Sequence, residues 1–500
     1  MSKKSPIRLD DFPEVFVSDK TRTSAVSKAV KAGRLRKIGS RLYTRNMTSA
    51  PEDIVRKHWH VLLKEYFPDA LIADRTALEN KPAPDGSVFI ISAGSRAVEL
   101  PGITYKPRIG IPALESDLPF AAGVRLSSTP RAWLENMRMS RSGNSVSRTL
   151  NNVELEERLE SMLRRGGEST LNQLRDQARG IAAQLGMSDE FKRLNDLIGT
   201  FLGTRDSRLV SSVGQARRQG LPYDPVRLDL FIHLFNELRR SAPSIRTDAH
   251  MTDRGKTNLA FFESYFSNYI EGTEFLVEEA MDIVFHGFTP VDRPQDAHDI
   301  LGTFRIVSDD VEMRRQPRQT DDFIRLLKTR QAGFMDARPE KRPGQFKSQD
   351  NRAGSTLFVA PELVPGTLEK GFDIHQGLEA PLHRAIFMMF LVSEVHPFAD
   401  GNGRAARIMM NAELVAGREQ KIIIPTVFRN NYLSALKAFS QTGNGAPLIR
   451  MLDFAQRYTV SIPWDDFDTA RALLQATNAF HDANEAEHQG IRLVMPETHL

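Results

Sequence analysis

The apolar positions of the chain fall into two kinds of run, and the longer kind dominates. Residues 385–395 (AIFMMFLVSEV) are apolar on nearly every side and run too long for an average strand, which predicts a buried helix ending near His396. Residues 404–416 (RAARIMMNAELVA) have the composition of a second helix, and the aromatic run 260–270 (AFFESYFSNYI) is helix-compatible as well. Residues 154–163 and 171–185 alternate apolar and charged faces, as two surface helices would, and 467–480 supplies one more helix near the end. Shorter β-prone runs bounded by turn residues occur at 35–43, within 70–136 and at 351–361. The pattern predicts a mainly α chain with small sheets toward its N-terminal end.

Between the first two helices lies HPFADGNGRAAR, residues 396–407. Gly401, Asn402 and Gly403 permit a tight turn that opens a helix, and a glycine turn at a helix N-terminus is an anion site because its N–H groups lack intrahelical partners. Arg404 and Arg407 lie three apart on one helical face, so both can reach a polyphosphate. Asp400 can hold a divalent cation that shares phosphate oxygens, and His396 can take a proton from an incoming hydroxyl. Gly401 to Ala406 can also be spelled as a dinucleotide fingerprint, but that fingerprint follows a strand, and here a helix precedes it. Zinc would need a third ligand beside His396 and Asp400, and no further His or Glu supplies a plausible one nearby, while Pro397 breaks the helix between them.

The string 396–407 fills every fixed position of HPFx(D/E)GNGRxxR and so resembles the motif of the Fic family. The resemblance implies an all-helical core with a short β-hairpin flap, and a protein adenylyltransferase that moves AMP from ATP to a Tyr, Thr or Ser hydroxyl of a target protein or of itself. It makes His396 the general base, Asp400 the ligand of Mg²⁺ (or Mn²⁺), Gly401, Asn402, Gly403 and Arg404 the phosphate binders, and Arg407 the partner of the γ-phosphate. An acidic residue at Asp400 favours adenylylation, since relatives with lysine there phosphorylate instead. Upstream, Ser267 to Gly272 (SNYIEG) resembles the family's inhibitory motif (S/T)xxxE(G/N), which implies that Glu271 pairs with Arg407 and denies the γ-phosphate its partner. The run 351–361 (NRAGSTLFVAP) looks like the flap that pins a target segment; the edge Thr356, Leu357, Phe358, Val359 would pair with target backbone by strand addition. Residues 422–425 and 430–436 resemble the closing helices, where Tyr432 is either a core aromatic or a pocket wall.

The N-terminal end carries a different signal. Between Lys20 and Arg45 there are nine Lys and Arg residues and no acidic one. Thr23 to Gly33 reads as a short helix and residues 35–43 as a hairpin turning at Gly39-Ser40, which together make a winged-helix layout. Ser24 and Lys28 would face a DNA groove, with Arg36, Lys37 and Arg41 on phosphates. The phrase AVKAGRLRKIGSRLY, residues 29–43, resembles the N-terminal domain of AbiEi-type antitoxins, and 70–136 continues that likeness as a small α+β domain. A DNA-binding regulator in a toxin–antitoxin setting, whose Fic core senses ATP or acts on another nucleotide, is therefore the alternative to the enzyme.

Composition adds bounds. At 500 residues the chain should hold several domains. These are expected as a winged-helix module at 1–50, an α+β domain at 51–140, a helical linker region at 141–255, a Fic domain with its inhibitory helix at 256–460, and a helix with tail at 461–500. Residues 140–152, rich in Ser, Arg and Asn, look like a linker within this plan. Net charge is only +4, so the basicity is local. The absence of Cys excludes thiol catalysis and Cys-based zinc sites. No signal peptide and no membrane span is expected, the longest apolar run being far short of a bilayer, so a cytoplasmic, bacterial protein is the simplest reading. Oligomeric state stays open, a homodimer included.

Overall fold

The computed structural model describes residues 13–19, 21–140, 146–248, 251–354 and 356–496; Lys20 of the basic run and residues 141–145 of the expected linker lie outside these. The chain is mainly α and forms two compact units, Met1–Arg218 and Gln219–Leu500. Among the described residues no helix is long and apolar enough to cross a membrane.

The first unit begins with a three-stranded antiparallel sheet in the order Val15–Val17, Leu42–Thr44, Arg36–Gly39, packed on the helix Thr23–Lys31. The expected helix and hairpin are both present, with the hairpin turning through Arg41 at φ 59°. Asp19 starts the helix by accepting from the N–H groups of Thr21 and Arg22. A six-stranded mixed sheet follows, and a third layer of helices closes on Trp133, Leu155 and Leu171. The two amphipathic runs at 154–163 and 171–185 are one element, Asn152–Ala182, kinked at Gly167, whose φ of 67° only glycine adopts cheaply. The described part of the expected linker is packed rather than free. Leu150 is buried and its N–H donates to the Asn136 side chain, so this stretch serves as the lead-in to that helix.

The boundary between units falls inside the 141–255 stretch. The helix Ser188–Phe201 joins the first unit's core, whereas Pro225–Arg240 sends Phe231, Leu234 and Leu238 into the core of the second. That second core is built around the pair Pro381–Val395 and Asn402–Ala416, hereafter the upstream and downstream helices. The upstream helix is buried from Ala385 to Val392 without a break, as its composition requires. Gly371 lets a neighbouring helix approach, since any Cβ there would collide with Leu391. The downstream helix starts at Asn402, two residues before the position its composition suggested, because the glycine turn is tighter than three residues. The helix expected at 467–480 runs only from Phe467 to Ala476 and is followed by a further helix, Ala483–Gln489; Phe467 and Phe480 seal an aromatic cluster on Phe262 and Phe266.

Candidate active site

The site forms where the upstream helix stops and the downstream helix starts. His396 ends the first in the left-handed region, φ 52°, and Gly401 begins the second at φ 77°. Gly401 is fixed twice over, because a Cβ there would also press on Phe334 and Met335. Asn402 was expected to bind phosphate, but its side chain is buried and occupied: Oδ1 accepts from Phe398 N at 2.8 Å and Nδ2 donates to Phe398 O at 2.9 Å. It staples the loop, and what it offers a ligand is the backbone N–H of a helix start.

Arg407 is buried, and its guanidinium faces the last turn of the helix Asp253–Ile270. Nε donates to Ser267 Oγ at 3.0 Å, while one terminal nitrogen reaches Ser267 O at 2.8 Å and Glu271 Oε1 at 2.7 Å. Ser267 and Glu271 thus share the face the sequence assigned them, and Gly272 turns the chain away at φ 91°. The Glu271 carboxylate also lies where a Cβ on Gly403 would stand, so a side chain at 403 would collide with it. A carboxylate therefore fills the N-terminal end of the downstream helix, where an anion is stabilised by free N–H groups and the helix dipole. Burial opposes ionisation of Glu271, but Arg407 outweighs it and holds the carboxyl below its ordinary range.

Arg404 was expected on the phosphates as well. It is buried, paired with Asp299 Oδ2 at 2.8 Å, donates to Asn268 at 3.1 Å, and lies over the Phe334 ring. Asp299 also holds Arg338 at 2.9 Å. Sequence reading missed Asp299 because nothing in its local pattern distinguishes it from a surface acid. Tyr432 proves to be a buried core residue that also lies beneath the Arg407 guanidinium.

Asp400 is half exposed. Its Oδ1 accepts from Gly401 N at 2.6 Å and its Oδ2 stands 3.9 Å from Lys341. A single carboxylate with one oxygen only loosely held fits Mg²⁺, which binds through one or two carboxylates plus substrate oxygens; no cluster of three or more His, Cys, Asp or Glu suits a metal among the described residues. His396 is pushed down to about 4 by burial, so it is neutral at physiological pH. Its Nδ1 faces Ser393 O at 3.3 Å, which leaves Nε2 as the free base.

The flap is a short antiparallel hairpin, Arg352–Ala353 with Thr356–Leu357. The edge expected to run from Thr356 to Val359 is shorter than that. Phe358 stacks on His396 and Val359 is buried in the core, because the chain must turn inward to reach the next helix. In the other unit, Ser24, Lys28, Lys37 and Arg41 are exposed and Arg36 half-buried. The Arg36 and Arg41 guanidiniums donate to Ser49 O and Ser18 O, bonds that brace the sheet.

The model of the Fic/DOC family matches residues 320–414. "Protein adenylyltransferase Fic" of Drosophila virilis is 28% identical over 129 residues, which is 25% of this chain and 26% of that protein. "Protein adenylyltransferase fic-1" of Caenorhabditis briggsae is 30% identical over 114 residues, 21% of this chain and 22% of that protein. The chain thus spans about a quarter of the length of these curated relatives. Among solved structures, Fic-1 from C. elegans aligns over 65% of this chain and 98% of its own at 15% identity and TM-score 0.35. A Fic-domain protein from Bacteroides thetaiotaomicron aligns over 49% and 97% at 17% identity and TM-score 0.38.

Because the folded Glu271 carboxyl is depressed, the stabilisation from its pair with Arg407 is complete above the ordinary glutamate value of 4.5 and is lost as pH falls through the lower folded value. Wild type should therefore lose more thermal stability than Glu271→Gln on going from about pH 5 to about pH 3. Parallel melting curves for the two proteins would show the ion pair to be absent.

Proposed function

Since residues 320–414 form a Fic/DOC family domain, we propose that this chain is a protein adenylyltransferase held in check by its own Glu271. In the reaction, the oxygen of a target Tyr, Thr or Ser hydroxyl attacks the α-phosphorus of ATP. A P–O bond forms there, the bond to the bridging oxygen of the β-phosphate breaks, and pyrophosphate leaves. His396 Nε2 accepts the hydroxyl proton. The N–H groups at the start of the downstream helix and Arg407 hold the phosphates, with Arg404 joining them if it leaves Asp299. Mg²⁺ on Asp400 would supply charge neutralisation across phosphate oxygens. A protein target, itself included, fits a base at the lip of an open hairpin.

The observation that carries this reading is the position of the Glu271 carboxylate, bonded to Arg407 and seated against Gly403 where an anion belongs. A carboxylate and a phosphate are interchangeable partners for a guanidinium and a helix N-terminus. The fold is thus inhibited by a mimic of the group it would bind.

A second reading concerns the other unit. The helix Thr23–Lys31 beside an antiparallel hairpin, with Ser24, Lys28 and Lys37 exposed, supports DNA binding by that end, in the manner of a regulator or antitoxin. The two readings are compatible. For Lys28 and Lys37, replacement of both by Ala should weaken retention of double-stranded DNA and lower its salt dependence by about two phosphate contacts; binding that is absent in wild type, or unchanged in the variant, would end this reading.

For the enzyme, mass spectrometry of purified Glu271→Gly after incubation with ATP and Mg²⁺ should reveal AMP added to the protein itself. The adduct should vanish with His396→Ala, and wild type should show less of it. Equal labelling of wild type and Glu271→Gly would refute the inhibition.

A further inference from the structure

Among the described residues the His396 ring has one hydrogen bond to orient it, and that bond is weak. The 3.3 Å contact from Nδ1 to Ser393 O fixes which nitrogen carries the proton but leaves the ring free to swing about it. The remaining constraint comes from the flap. The ring of Phe358 lies on the imidazole with centroids 3.8 Å apart and planes within 8° of each other, face on face over the whole ring.

The strand carrying Phe358 is itself anchored on each side of that residue. Leu357 O accepts from an Arg227 guanidinium nitrogen at 2.8 Å, and the Arg227 Nε is ion-paired with Glu394 at 2.9 Å, two residues before His396. Phe358 N donates to Asn351 O at 3.2 Å, and the Asn351 side chain donates to Phe398 O at 3.0 Å, two residues after His396. Val359 is sunk in the core. The hairpin is therefore tied to the catalytic loop on both flanks of the histidine, with an aromatic ring delivered between the ties.

We propose that Phe358 is the positioning residue of His396: its ring fixes the imidazole plane and keeps water off that face, so that Nε2 is held toward the acceptor hydroxyl. This reassigns Phe358 from the edge that pairs with a target to the shell that aims the base, and its kinetic consequences rest on the adenylyltransferase reading. The charged groups that bear on His396 are Lys347 from the loop before the flap, Glu271 from the end of the blocking helix and Asp400 from the motif loop. None is removed by a change at Phe358, so a response to such a change reports the ring. An imprecise base costs roughly tenfold to a hundredfold in rate.

The test uses full-length protein with labelled histidine, in which the imidazole signal lost in His396→Ala identifies His396. In wild type the ring current of a stacked phenyl should displace that signal upfield, and it should titrate well below free histidine. In Phe358→Ala the displacement should vanish and the titration should move up toward the ordinary range; Phe358→Tyr should keep both features. In the Glu271→Gly background, adding Phe358→Ala should lower kcat for AMP transfer by about tenfold to a hundredfold at unchanged KM for ATP, with the acid limb of the pH profile moved upward and activity rescued by Phe358→Tyr. A His396 signal that ignores Phe358→Ala would overturn the proposal, as would turnover equal to or above that of Glu271→Gly alone, which would make the ring a cover over the base. If Glu271→Gly transfers no AMP, the enzymatic reading fails, while the titration still decides whether Phe358 governs His396.

Discussion

The contact between Glu271 and the paired structures of Arg407 and Gly403 organises the whole second unit's chemistry. It requires three things to coincide: a helix N-terminus with no side chain in front of it, a buried guanidinium one turn along, and a carboxylate delivered by the end of another helix. Each has its own support. The absence of a Cβ at Gly403 gives the carboxylate its seat, Ser267 holds Arg407 from the side, and the aromatic packing of Phe262 and Phe266 fixes the helix that carries Glu271. An isolated buried guanidinium would be costly, so the pair stabilises the fold, and on the proposed reading it also occupies the seat of a phosphate. The proposed inhibition and the stabilisation would then be one interaction.

Around that seat the residues divide by whether they face the ligand or hold the ones that do. His396 and Asp400 stand at the open lip, one neutral and one half exposed. Asn402 ties the loop to Phe398, Asp299 holds Arg404 and Arg338 together, and Asn351 and Arg227 tie the flap to the same loop. A short polar loop between two buried helices has few apolar contacts of its own. Its shape therefore depends on these side-chain bonds, some to backbone groups and some between charged side chains.

Much of this was legible in the residues. The buried upstream helix, the glycine turn and the two arginines on one face follow from composition and spacing within a dozen positions. That Ser267 and Glu271 share a face was legible too, because they stand four apart at a helix end. What stayed hidden was pairing at long range. No local pattern says that Asp299 meets Arg404, that Arg227 reaches Leu357, or that Phe358 turns back onto His396, since each depends on how helices pack rather than on how they form. Asn402 shows the same limit: its type suits a ligand as well as a staple, and only the nearby Phe398 backbone shows that its side chain is the staple. At Gly167 the two amphipathic runs were visible, but a kink and a loop leave the same trace in sequence.

On the proposed reading, Glu271 and the outer phosphates of ATP compete for one seat. Calorimetric titration of wild type and Glu271→Gly with ATP and with AMP tests it directly, because AMP lacks those phosphates. Glu271→Gly should bind ATP more tightly than wild type does while AMP affinity stays the same. Equal ATP affinity in the two proteins, or the same gain for AMP as for ATP, would contradict it.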